Sequence, residues 1–365
     1  MALPNSCRRI PKEERVASTA IANNNDPQRP FAVYNDEFLR IIGSNPTVSI
    51  VLEKDYEFAH EAPVYDPKED AVYFCSNLLG LPDSNEQTIT IHKAVRSPTG
   101  KWDCHHIQPD VAMCNGGINY GDDILFCSQG TMSKPGGIVK MSRAPPYKAS
   151  TLVDGFLGRQ FNSVNDLVVH HDGSIWFTDP MYGWEQGFRP KPRLPCQVYR
   201  FDPESGDIRV VADGFGRPNG LCFSPDEKIM YITDTDIIHG DGNFDETRPG
   251  TIYAFDVNFH SGSPFLSNRR VFAMAVRGAP DGIKCDTQGN VYSGCGDGVN
   301  VWGPNGTLLG KIELPGGVAN FCFTRKGEMI LLNEKMVWLA KIDDKVEGAL
   351  LVAEQSRMAK TGQWR

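Results

Sequence analysis

Six times along this chain an amide or carboxylate residue opens a short apolar run that passes through a turn into a second β-rich run. The openers are Glu61 (EAPVYDPKEDAVYFCS), Asn115 (NGGINYGDDILFCS), Asn165 (NDLVVHHDGSIWFTD), Asn219 (NGLCFSPDEKIMYITD), Asp281 (DGIKCDTQGNVYSGC) and Asn320 (NFCFTRKGEMILLN). They lie 54, 50, 54, 62 and 39 residues apart, a spacing in the range of propellers and solenoids. Each unit alternates apolar and polar residues about a turn such as HHDGS, SPDEK or DTQGN, as two half-buried strands joined by a hairpin do. A four-stranded blade takes roughly 40–50 residues, and radial repetition leaves an all-β chain few exposed edges. The repeat therefore predicts an all-β, six-bladed β-propeller over residues 31–352. A flexible N-terminal arm over 1–30 and a polar C-terminal tail over 353–365 flank it.

Composition narrows the classes of function. The formal charge of −8, with no basic stripe, argues against nucleic acid as a partner. No stretch approaches the length of a membrane span, and MALPNSCRRIPKEERVAST has no apolar core of signal-peptide length. Most of the ten cysteines lie inside strand patterns, and neither C-x-x-C pairs nor zinc-ligand spacings occur. They read as reduced thiols packing as small hydrophobes, which places the chain in the cytoplasm. Two connections exceed hairpin length: DPMYGWEQGFRPKPRLPC from Asp179 and DTDIIHGDGNFDETRPG from Asp234. Both follow repeat strands, so at least one is expected to rim a substrate pocket on a face of the propeller.

Taken singly, Asn-Gly, Asn-Asp and Asp-Gly are turn dipeptides. Six openers in equivalent places are another matter, because side chains at the starts of six innermost strands converge on one axis. Hard divalent cations take oxygen ligands, and two carboxylates with several amides would balance a +2 charge. Soft ligands are absent from the openers, and two acids in one channel resist joint ionisation unless a cation accompanies them.

The runs FNSVNDLVVHHDGSIWFTDPMYG, GRPNGLCFSPDEKIMYITDTD and APDGIKCDTQGNVYSGCGDGV resemble the SMP-30/gluconolactonase/LRE-like family. FAVYNDEFLRIIG, GFRPKPRLPCQVYRFD and CGDGVNVWGPNGTLLGKIELPGGVANF are most similar to fungal lactonohydrolases of the aldonolactone type. The resemblance implies a single catalytic divalent cation in the channel, Ca²⁺ foremost, with Zn²⁺, Mg²⁺ or Mn²⁺ as alternatives. Its implied ligands are Glu61 in HEAPVYDP, Asn165 in SVNDL, Asn219 in RPNGL and Asp281 in APDGI. The family also credits the Asp281 position with proton transfer. Animal members carry a substrate-contacting Arg two residues before Asn165, where this chain has Ser163.

The expected reaction is opening of a small aldonolactone-like ring by metal-activated water, with Asp281 or Glu61 as the base. Asn115, Ser163, Tyr182 and Asn320 are the expected substrate contacts. No G-x-S-x-G elbow is present, which fits a route without a covalent intermediate. A natural-product lactone or a phosphotriester would suit the same chemistry. A protein-binding propeller would instead show recurrent Trp-Asp or Gly-Gly signatures, which do not recur at blade spacing here. His105-His106 fall in a polar outer segment where adjacent strand residues face opposite ways, which argues against a role as catalytic base. His170-His171 directly precede a hairpin turn and are expected to face solvent.

Overall fold

The computed structural model describes residues 3–12, 14–15, 26, 28–81 and 86–361, with the side chains of 357–361 excepted. Six antiparallel sheets surround one axis. From the axis outward, the first blade is Glu61–Asp66, Ala71–Cys75, Ile91–Arg96 and Trp102–Ile107. The second is Cys114–Tyr120, Asp123–Ser128, Gly137–Ser142 and Ala149–Val153. Leu167–Val169, Ile175–Asp179, Gln197–Phe201 and Ile208–Ala212 form the third. The fourth is Pro218–Phe223, Ile229–Asp234, Thr251–His260 and Ser263–Met274. Ile283–Cys285, Val291–Cys295, Gly298–Trp302 and Leu308–Glu313 form the fifth.

The sixth blade takes Phe321–Phe323, Glu328–Asn333 and Met336–Lys341 from the C-terminal end and its outer strand, Thr47–Glu53, from the N-terminal end. The ring is thus closed by backbone hydrogen bonds between the two ends of the repeat. The short strand and helical turn legible in FAVYNDEFLRII are Phe31–Val33 and α1, Glu37–Ile42. That strand extends the fifth blade by pairing with Leu308–Glu313.

Stability comes from the seams between blades. The buried apolar residues fall into six clusters, one for each seam. In DILFCS the alternation sends Ile124 and Phe126 to the seam with the first blade, and Leu125 and Cys127 to the seam with the third. Both faces of such a strand are buried, so it reads as a continuous apolar run. Nine of the ten cysteines are buried, Cys104 is partly exposed, and all ten are free.

Two terminal segments depart from expectation. Part of the arm is held: Cys7–Arg9 runs parallel to Phe31–Val33, and Arg8 donates to both carboxylate oxygens of Glu313 at 2.7 and 2.6 Å. Residues 1–2, 13, 16–25 and 27 of the arm lie outside the described residues. The polar tail expected from residue 353 begins inside a helix, α3, Ala349–Thr361. AEQSRMAK is polar in composition yet built of good helix formers. Leu350, Leu351 and Glu354 of α3 line an apolar cavity of about 60 Å³ with Val64, Ile118 and Leu221. The helix therefore lies across one end of the channel, and the openers occupy the other.

Candidate active site in the axial cavity

The openers reach the axis by a local backbone device. In the first, second and fourth blades the register of the innermost hairpin shifts between Glu61 and Val64, Cys114 and Gly117, and Pro218 and Leu221. These are β-bulges, which turn a side chain out of the regular pleat and recur beside active sites. The glycines after the openers serve packing between blades. A Cβ on Gly116 would stand 2.6 Å from the carbonyl oxygen of Asn165, and one on Gly220 would stand 2.5 Å from that of Asp281. Asn-Gly and Asp-Gly here mark close approach of neighbouring inner strands, and no hairpin tip is involved.

Glu61, Asn115, Asn165, Asn219 and Asp281, from five blades, line one cavity of about 340 Å³ together with Tyr182. A second ring joins them: Gln129, Thr235, Gly296 and Glu334 follow directly on the second strands of blades two, four, five and six, and Asn77 stands two residues past that of blade one. In an antiparallel hairpin the end of the second strand lies beside the start of the first, which is why these residues stand beside openers. That geometry was the available sequence signal for these residues. His60, which precedes Glu61, also lines the cavity; its Nδ1 lies 2.7 Å from Glu334 Oε1, and Asn77 donates to Glu334 Oε2 at 3.0 Å.

Ser163 and Asn320 do not line the cavity. Ser163 is fully buried; its hydroxyl donates to the Pro180 carbonyl and accepts from the Gly183 amide, both at 3.0 Å, which seats the loop carrying Tyr182. Asn320, also buried, donates to Glu61 Oε2 at 2.7 Å and so holds a carboxylate that does face the cavity. Expected as substrate contacts, both side chains instead lie off the cavity with their hydrogen bonds made to the protein.

Two aspartates repeat one task. Asp179 accepts from the Asn162 and Ser163 amides at 2.9 and 2.8 Å, and Asp234 from the Gly216 and Arg217 amides at 3.1 and 2.8 Å. Each clamps the approach to the opener of its own blade, Asn165 or Asn219, and launches a long connection. Both connections line the cavity: Tyr182, the first residue of α2 (Tyr182–Glu185), and Gln186 come from the first, and Ile238, His239 and Gly240 from the second. Arg217 joins the two, pairing with Glu185 and Asp236, while the Tyr182 hydroxyl meets Thr235 Oγ1.

The first connection is anchored by Arg189, whose guanidinium donates to the carbonyls of Asn162, Phe161, Thr131 and Lys134 at 2.7–3.0 Å. Arg189→Met removes the guanidinium's two buried hydrogen bonds, to the Asn162 and Phe161 carbonyls, along with the partly exposed ones, and is expected to cost on the order of 3 kcal/mol in denaturant unfolding. Arg189→Lys should rescue little of it, because one ammonium cannot match a planar five-donor fork. Full stability of the Met variant would refute the anchoring role.

Burial lifts the Glu61 and Asp281 carboxyls above the usual range. The charge of Asp281 adds to the effect at Glu61, and that of Asp166 adds at both, while His60 opposes it. At His60 burial alone would favour the neutral ring, but Glu334, Glu61 and Asp281 outweigh it and push the imidazole up to about 10. Burial likewise raises the Tyr182 phenol, which stays protonated at neutral pH and able to donate. Asn165 Oδ1 and Asp281 Oδ1 are buried without a hydrogen-bond partner. Unpartnered oxygens beside desolvated carboxyls suit a hard divalent cation, so the residues present fit one.

A six-bladed propeller with an acid- and amide-lined axial cavity is the class that fold and site define. The chain belongs to the SMP-30/gluconolactonase/LRE-like family, whose model matches residues 59–332. It is 32% identical over 330 residues to the lactonohydrolase oryL of Aspergillus oryzae, a match covering 80% of this chain and 69% of that protein. To a gluconolactonase of Zymomonas mobilis it is 33% identical over 192 residues, spanning 50% of this chain and 51% of the other. Among solved structures, a gluconolactonase from Xanthomonas campestris superposes with a TM-score of 0.69 at 27% identity, covering 87% of this chain and 96% of that one. Among the described residues no helix is long and apolar enough to cross a membrane.

Proposed function

We propose that this chain is a divalent-metal-dependent lactonase that opens a small, hydroxylated, aldonolactone-like ring. The observation that carries this reading is the convergence of Glu61, Asn165, Asn219 and Asp281, from four blades, on one cavity in a member of this family. Those four residues would hold the cation, Ca²⁺ by the all-oxygen donor set. When bound, it would polarise the lactone carbonyl and acidify a water.

The chain's own groups do the rest. Asp281 takes a proton from the attacking water as its oxygen bonds to the acyl carbon. It returns that proton to the ring oxygen as the acyl C–O bond breaks, leaving a hydroxy acid. Glu61 is fixed for its part by hydrogen bonds from Asn320 Nδ2 and the Ala62 amide at 2.7 and 3.2 Å. One amide hydrogen of Asn115 is committed to the Asn165 carbonyl at 3.0 Å, which steadies a ligand-bearing segment. Tyr182, His60 and the Asn77–Glu334 pair offer donors and acceptors to ring hydroxyls. The ten unpaired cysteines support a reducing compartment, the cytoplasm.

The test is acid release in a pH-stat against aldonolactones, pantolactone and larger lactones, before and after chelation. Turnover of at least one small lactone, lost with chelator and restored by calcium, is expected. Turnover indifferent to chelation would remove the metal from the proposal, and no turnover across the panel would remove the lactone.

A further inference from the structure

The two histidines before the third-blade hairpin do not behave alike. His171 is exposed, as the turn suggests, whereas the His170 side chain is wholly buried among Trp176, Phe223 and Phe259. Its Nδ1 lies 2.9 Å from Asp172 Oδ1, and Asp172 is itself held by Ser174 and by Arg200 Nη2 at 3.2 Å. The other nitrogen, Nε2, is buried without a hydrogen-bond partner. It points at Glu227 Oε2, 3.4 Å away, and His171 Nδ1 contacts that same oxygen. Glu227 belongs to the SPDEK turn of the fourth blade, so the cluster crosses a blade seam at the hairpin ends, the face opposite the axial cavity. The ligand atoms of all three residues lie within 4.8 Å of one another.

This arrangement has the parts of a transition-metal site. Two imidazole nitrogens and a carboxylate oxygen form a three-ligand set that leaves a position for water. Histidine ligands characteristically give their second ring N–H to a carboxylate, the relation of His170 to Asp172. A buried nitrogen lone pair aimed at a carboxylate oxygen calls for something positive between them. We propose that His170, His171 and Glu227 form a metal site for Zn²⁺, separate from the axis, that clips the third blade to the fourth.

The test uses the full chain, stripped with chelator, desalted, and titrated with Zn²⁺ alone in excess Ca²⁺ so that the oxygen-rich axis is occupied. Calorimetry and metal analysis should show one Zn²⁺ per chain at this site, with affinity falling at least 100-fold in His171→Ala and in Glu227→Gln. Cobalt in place of zinc should give the visible bands of a four-coordinate, imidazole-ligated ion in the parent and lose them in both variants. Calcium-supported lactone turnover should be the same in all three proteins, since neither residue touches the cavity. Equal Zn²⁺ uptake by parent and variants would overturn the proposal. So would no uptake by the parent, the result expected if a proton alone joins these groups.

Discussion

Asp281→Asn is expected to lower lactone turnover by at least about 10³-fold while leaving the fold intact, because in the proposed mechanism it removes the proton acceptor and one ligand charge together. The substitution is isosteric and keeps the backbone bonds of position 281, whose amide donates to the Gly294 carbonyl at 2.9 Å. Burial disfavours the charge of the natural carboxyl, Asp166 and Glu334 add to that, and His60 offsets it only in part. A neutral amide is free of the desolvation cost, so without metal the variant should melt no lower than the parent. With saturating calcium the order should reverse, because only the parent gains the full binding energy of the ion. Turnover by pH-stat and melting with and without calcium check both halves. Near-normal turnover in a folded Asn variant would move the general base elsewhere, with Glu61 the next carboxyl on the cavity.

Gly220→Ala should damage both the fold and the axial cavity with a single methyl. The added carbon would stand 2.5 Å from the Asp281 carbonyl oxygen and 3.1 Å from the Gly282 Cα, so it meets backbone on the neighbouring inner strand. Backbone cannot swing aside as a side chain can. The fourth and fifth blades would have to separate at the point that carries Asn219 and Asp281. A loss of about 3 kcal/mol or more in unfolding free energy is expected, with calcium affinity falling alongside. Gly80→Ala, where an added carbon meets nothing within 4 Å, is the control and should change stability by less than about 0.5 kcal/mol. A Gly220→Ala protein as stable as that control would show that the inner strands tolerate separation.

Much of the axial site was legible because its residues repeat. Glu61, Asn115, Asn165, Asn219 and Asp281 each begin a hairpin, and a fivefold coincidence of oxygen-bearing side chains stands out against turn chemistry. Ser163 and Asn320 show where that reading stops. Both sit in the right segments, yet each spends its hydrogen bonds on the protein, and no spacing in sequence reveals which way a buried polar group turns. His170 carries the same lesson: its place before a turn suggested solvent, and aromatic residues from the adjoining blade covered it instead.

By itself the sequence determined the number of blades, their order, the hairpins and the ring of openers, because alternation along a strand and chemistry at a turn are properties of neighbours in the chain. Only the tertiary structure decided what faces what across a seam. It brought Glu334 and Asn77 to His60, folded both long connections over the cavity, laid α3 across the far end of the channel, and set Glu227 against two histidines of another blade. Those contacts join residues tens to hundreds of positions apart, and they follow from how twisted sheets close around an axis, which no local pattern records.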